Sequence, residues 1–139
     1  MKIFLADHHP QTLMALKAML QEKPNLIITG EAMDANNLLA QVCKTSSDMV
    51  LMDSELPGMS NTKLITELHK GEKKLVVVVM CNSPEQGRTF IRAGADAFVS
   101  KSDPPEWVLE IVDKYESRFS NKSGEKLNPG QQAAESTIN

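Results

Sequence analysis

Apolar and polar positions follow two rhythms along this chain, and the two take turns. Short runs, apolar at most positions, stand at 2–6, 26–29, 49–52, 75–80 and 97–100. Between them, apolar residues recur three or four positions apart, as they do on one face of a helix. Leu13, Leu16, Met19 and Leu20 form the first stripe. Pro10 suits the first turn of that helix, and Pro24 and Asn25 break it. Gly30 is expected to close the second strand. Asp34 is a good N-cap for the stripe of Leu38, Leu39 and Val42, and Ser60 for that of Leu64, Ile65 and Leu68. The run 75–80 holds four consecutive valines, which points to a strand buried on both faces. A helix over 84–93 ends at Gly94, and a last one over 104–119 carries Trp107, Val108, Ile111, Val112 and Tyr115 on its apolar side.

Five β-α units in succession predict a parallel sheet with helices on both faces. Right-handed crossovers leave few topologies, and the expected one is a flavodoxin-like, doubly wound (βα)5 sheet. Ligand sites in such sheets lie beyond the carboxyl ends of the strands. Asp7, the residue Asp53 that ends the third strand, and Lys101 all fall there. Residues 1–119 are expected to be one domain. Residues 120–139 are polar, hold Gly124, Pro129 and Gly130, and are expected to be a tail or truncated linker without fixed structure. That tail is too short and polar for a helix-turn-helix domain.

Composition narrows the class. Of 139 residues, 41% are hydrophobic, enough for a core. The net charge of −3 supplies no bulk attraction to nucleic acid or an anionic membrane. No apolar run approaches the length that crosses a bilayer. The stretch Ile3 to Ala6 meets Asp7, His8 and His9 at once, unlike a signal peptide. Cys43 and Cys81 fit no metal spacing and no disulfide framework. A cytoplasmic protein is expected.

Asp7, Asp53 and Lys101 together suggest a chemistry. Two carboxylates at neighbouring strand ends repel, which favours a cation between them or a proton on one. Mg²⁺ takes oxygen ligands and keeps several waters, so one or two carboxylates suffice. A carboxylate can also attack phosphorus and become an aspartyl phosphate. A metal ion and an ammonium would then neutralise the charge on the phosphoryl oxygens.

Three segments carry a resemblance. Ile3-Phe4-Leu5-Ala6-Asp7-His8-His9-Pro10 is similar to the first strand and acidic pocket of response-regulator receiver domains of two-component systems. Asp48-Met49-Val50-Leu51-Met52-Asp53-Ser54-Glu55-Leu56-Pro57-Gly58-Met59 resembles their phosphoacceptor strand and the loop after it. Ala93-Gly94-Ala95-Asp96-Ala97-Phe98-Val99-Ser100-Lys101 resembles the stretch leading to their lysine. The match runs from Lys2 to about Phe119, and its flavour is that of receivers attached to helix-turn-helix outputs of the LuxR/NarL type. The resemblance implies Asp53 as phosphoacceptor, phosphorylated by a histidine kinase or a small phosphodonor. It also implies Asp7, Asp53 and the backbone carbonyl of Glu55 as ligands of Mg²⁺, Lys101 as partner of the phosphoryl group, and Phe98 as the switch aromatic. Output would pass through helix 4, strand 5 and helix 5, by homodimerisation or by docking a partner. Contact with DNA would need an effector domain that does not follow here, so the chain reads as a stand-alone receiver or a fragment of a longer regulator. No turnover enzyme is expected, only phosphotransfer to the chain itself.

Two positions depart from the family pattern. Where a second acid is usual stands His8, a poor ligand for Mg²⁺. Where a switch Ser or Thr is usual, 22 positions before Lys101, stands Val79, with Cys81 or Ser83 as candidates only if the alignment shifts locally. Valine cannot hydrogen-bond a phosphoryl oxygen, a loss of about 1.5–3 kcal/mol for a bond to a charged group. The alternative reading is therefore a receiver that works as a phosphorylation-independent interaction module. A phosphatase of the haloacid dehalogenase type is disfavoured, because its acid pair follows the first strand whereas Asp53 follows the third.

Other residues carry blander expectations. His8 and His9 together suggest a transition-metal site, against which stands the rule that two adjacent side chains seldom chelate one ion. His69 reads as a helix C-terminal residue, Cys81 as a small buried hydrophobe, and Trp107 and Tyr115 as packing. The eight methionines read as core filler, and Lys70, Lys73 and Lys74 as a solvated loop face.

Overall fold

In the computed structural model, which describes residues 1–71 and 73–120, the alternating pattern becomes ten elements in strict β-α order. They are β1 (Lys2–Ala6), α1 (Pro10–Gln21), β2 (Ile27–Ala32), α2 (Ala35–Thr45), β3 (Met49–Asp53), α3 (Asn61–Leu68), β4 (Val76–Cys81), α4 (Pro84–Arg92), β5 (Ala97–Ser100) and α5 (Glu106–Ser120). All strand pairs are parallel, in the order β2-β1-β3-β4-β5. This is the flavodoxin-like sheet expected from the sequence. Of the residues expected in the polar tail, Ser120 ends α5, and 121–139 lie outside the described ones.

Period-two alternation splits the strands between two cores. Phe4, Ala6, Val50, Met52, Val77 and Val79 face α2 and α3 on one side. Ile3, Leu5, Met49, Leu51, Val76, Val78 and Met80 face α1 and α5 on the other. Both faces being covered, β3 and β4 are buried at every residue, which is why they read as unbroken apolar runs.

The caps follow the sequence. Pro10 opens α1, Asp34 accepts from the Asn37 N–H, and Ser60 accepts from the Lys63 N–H. Gly94 adopts φ +112° just past α4, where a side chain would be strained.

Several boundaries differ from expectation. β2 does not stop at Gly30 but continues to Ala32. Gly30 pairs with Phe4, and a Cβ there would lie 2.7 Å from the Phe4 ring. The glycine admits an aromatic neighbour; it does not end the strand. α5 begins at Glu106, two residues later than expected. Pro105 disfavours a helical conformation at Pro104, so the entry is a turn with Trp107 and Val108 donating to Pro104 and Pro105. β3 includes Asp53, β4 runs one residue later at each end, and α4 ends one residue earlier, at Arg92. The methionines divide: Met49, Met52 and Met80 are core, whereas Met14 and Met33 are exposed. Lys73 is not merely solvated, because it pairs with Asp48 at 2.7 Å.

Candidate functional site

Parallel strands in one sheet bring their carboxyl ends to one edge. Asp7 follows β1, Asp53 ends β3 and Lys101 follows β5, so residues far apart in sequence meet there. The backbone fixes each of them. The Asp7 N–H donates to Ala32 O at 3.0 Å, the Ser54 N–H to Met80 O at 2.9 Å, and the Lys101 N–H to Cys81 O at 2.7 Å. The turn after β5 is tied by the Ser100 N–H donating to Asp103 Oδ2 at 3.1 Å.

Asp53 is completely buried, and each oxygen has a partner. Lys101 Nζ donates to Oδ1 at 2.7 Å, and the Glu55 N–H donates to the same oxygen at 3.2 Å. His8 Nδ1 lies 2.9 Å from Oδ2. Asp7 is equally buried, but only one of its oxygens is occupied. Oδ1 receives the His9 N–H at 2.8 Å and faces His9 Nδ1 at 3.1 Å. Oδ2 has no hydrogen-bond partner among the described residues. Two buried carboxylates thus face one ammonium, which leaves a surplus of negative charge.

The sequence-derived set Asp7, His8, Asp53 and Lys101 therefore converges. Glu55 joins it through its N–H, while its carboxylate turns outward to accept from Asn82 Nδ2 at 2.8 Å. His9 also joins. Its presence beside His8 was visible in the sequence, but its aim was not.

Val79 and Phe98 lie on neighbouring strands. They are register partners on β4 and β5, and both are buried. Val79 sits in the apolar core beside α2 and α3. The alternatives to Val79 are engaged elsewhere: Cys81 Sγ donates to Ser83 O at 3.2 Å, and Ser83 Oγ caps α4 by accepting from the Gln86 N–H. Burial is the main influence on the Cys81 thiol and pushes its pKa up, so it stays protonated and is a poor redox nucleophile. Phe98 is held inside by Gly87 of α4, a residue sequence reasoning missed. A Cβ at Gly87 would stand 2.2 Å from the Phe98 ring. The signal was present as an isolated glycine within a helical stretch.

The acidic group around Asp53 can hold a metal ion, and its donors decide which kind. Mg²⁺ requires oxygen ligands in near-octahedral order. Here two of the four donors grouped with Asp7 and Asp53 are imidazoles, whose nitrogens stand against Asp53 Oδ2 and Asp7 Oδ1. As arranged, the donor set does not fit Mg²⁺.

Residues 3–113 match the family described as "Response regulator receiver domain". The nitrate/nitrite response regulator protein NarL of Escherichia coli is 26% identical over 112 residues, covering 79% of this chain and 52% of that protein. The transcriptional activator protein ExaE of Pseudomonas putida is 34% identical over 114 residues, covering 81% and 53%. The chain thus spans about half the length of these curated relatives. The isolated receiver domain of RcsB from Salmonella enterica serovar Typhimurium superposes with a TM-score of 0.77 at 20% identity, covering 96% of both chains. The receiver domain of the NarL protein from Mycobacterium tuberculosis gives 0.72 at 20% identity, covering 86% and 96%. Among the described residues no helix is long and apolar enough to cross a membrane. A buried aspartate at the end of β3, met by a lysine from beyond β5 on this sheet order, agrees with the family match over most of the chain: the protein belongs to the response-regulator receiver domains of two-component systems.

Proposed function

We propose that this receiver is phosphorylated on Asp53 by a histidine kinase or a small phosphodonor. One observation carries the reading: the Lys101 ammonium lies 2.7 Å from the carboxylate of a fully buried Asp53 at the sheet's carboxyl edge. In the step, an Asp53 oxygen attacks the phosphorus of a phosphohistidine. The P–N bond breaks, and the leaving imidazole takes up a proton. Lys101, already on Oδ1, offsets the charge on the phosphoryl oxygens. Later attack by water on the phosphorus regenerates the carboxylate and releases phosphate. No further turnover is proposed, and a cytoplasmic location goes with this reading. Mg²⁺, which the family implies at Asp7, Asp53 and Glu55, enters no step here, because two of the four donors grouped there are the imidazoles of His8 and His9.

Output would pass through the face of α4, β5 and α5 to a second copy or to another protein, and to DNA only through an effector domain outside this chain. A second reading has its own observation. Val79 and Phe98 form an apolar, buried pair where a hydroxyl would have to report the phosphoryl group. Association would then be independent of phosphorylation.

The test is intact mass after incubation with acetyl phosphate, with and without divalent cations, beside Asp53→Asn. One labile phosphoryl group on the parent chain only is the expected result. No adduct under any condition overturns it and leaves the interaction module. If the adduct forms, Val79→Thr separates the two readings of output. Under the second reading the oligomeric state of the parent ignores phosphorylation, whereas that of the variant responds.

A further inference from the structure

We propose that Asp7, His8, His9 and Asp53 form a binding site for a divalent transition-metal ion of the Zn²⁺ type. The ligand atoms these four side chains offer all lie within 4.8 Å of one another. The inference concerns binding of the metal alone and does not depend on phosphorylation of Asp53.

The objection from sequence was that neighbouring side chains seldom reach one ion. The local fold removes it. His9 is the N-cap of α1, with extended backbone at φ −103° and ψ 113°, and Pro10 starts the helix immediately after it. This turn brings the two imidazoles to the same side, with ring centroids 3.8 Å apart. Each presents Nδ1 to a different buried carboxylate, at 2.9 Å for His8 and Asp53 and 3.1 Å for His9 and Asp7. Ligands about 2.0–2.1 Å from a tetrahedral ion lie roughly 3.4 Å from each other. The cluster is thus close to that size, and His9, about half exposed, can rotate to complete it.

An independent observation at Asp7 points to a cation as ligand. Asp7 Oδ2 is buried with no hydrogen-bond partner among the described residues. Buried carboxylate oxygens in that condition are rare, and a metal ion satisfies them without a donor. The charge agrees: Lys101 offsets one of the two carboxylates, and a divalent ion would more than offset the other. Donor chemistry then selects the ion. Imidazole suits Zn²⁺, Ni²⁺, Cu²⁺ and Fe²⁺, whereas Mg²⁺ prefers oxygen. The His9 N–H, bonded to Asp7 Oδ1, is the kind of outer contact that orients a ligating carboxylate.

The test uses the full chain, stripped of metal, with Zn²⁺ titrated against a chromophoric chelator and Co²⁺ followed by its visible absorption. One Zn²⁺ per chain is expected, with a Co²⁺ spectrum showing nitrogen and oxygen ligands at low coordination number. His8→Gln and His9→Gln alter half-exposed side chains and, with thermal melts confirming that they fold, should each weaken Zn²⁺ by roughly tenfold or more. His69→Gln should change nothing. His8→Asp should narrow the preference for Zn²⁺ over Mg²⁺ by about tenfold. Zn²⁺ affinity unmoved by both His8→Gln and His9→Gln, or lost equally in His69→Gln, overturns the proposal. Because no phosphodonor is present, a failure here leaves the Asp53 reading standing, and the reverse also holds.

Discussion

Strand β3 is bracketed by two aspartates, and the edges of the sheet they occupy differ in kind. Asp48, just before the strand, accepts the Lys2 N–H at 2.8 Å and pairs with Lys73 at 2.7 Å. Its own backbone bridges Lys2 and Val76, so it ties β1, β3 and β4 together at the amino edge. Asp53, at the other end, is buried and met by one lysine, one histidine and one N–H. It ties side chains and leaves a second buried aspartate beside it half unsatisfied. The first arrangement lowers the energy of the fold. The second brings two buried carboxylates together, where like charge costs stability. Position at the carboxyl edge, burial and the identity of the donors separate the two roles; residue type does not.

That contrast can be broken in several ways, the largest effect first. Asp53→Asn should abolish the phosphoryl adduct, and Asp48→Asn should leave it intact, as read by intact mass. Replacing the two lysines extends the comparison: Lys101→Ala should slow adduct formation by about 10²-fold, the scale for removing a donor to developing charge, and Lys73→Ala should not change it. Stability should move in opposite directions. An asparagine at 53 can still accept from Lys101 and can donate to His8, while removing one of two neighbouring buried charges. It should raise Tm by a few degrees, or about 1 kcal/mol. Asp48→Asn weakens a partly exposed ion pair and should cost about 0.5–1 kcal/mol.

The smallest effect is in acid. Burial alone would raise the Asp48 carboxyl. The hydrogen bonds from Lys73 and the Lys2 N–H, with the charges of Lys73 and the amino terminus, outweigh it and hold the pKa below the ordinary value. A carboxyl lowered in the folded state contributes stability that is present above its unfolded pKa of about 4 and is lost as pH falls through the folded value. The Tm difference between parent and Asp48→Asn should therefore narrow below about pH 4.

The sequence disclosed the sheet, the order of elements and the ends of the strands that carry Asp7, Asp53 and Lys101, because hydrophobic periodicity and caps are local signals. It also disclosed the absence of a hydroxyl at position 79. What it concealed depends on contacts between distant segments. Gly30 looks like a terminator until Phe4 is seen across from it. His9 looks redundant beside His8 until the start of α1 sets the two rings side by side, each against a different buried carboxylate. Lys73 looks solvated until the strand order brings Asp48 to it. In each case the residue type was plain and its partner was set by topology.

The close approach of Gly87 to Phe98 bears on how this molecule breathes. Glycine inside a helix weakens it by about 1 kcal/mol relative to alanine. In α4 that glycine is also the one fully buried position. The helix's other apolar contacts come from Phe90 and Ile91, which are only partly buried against the core beside α2 and α3. Local unfolding should begin there, with the amides of α4 exchanging with solvent at a lower opening energy than those of β3 and β4. Phe98 would be uncovered by that opening, without any rearrangement of the sheet.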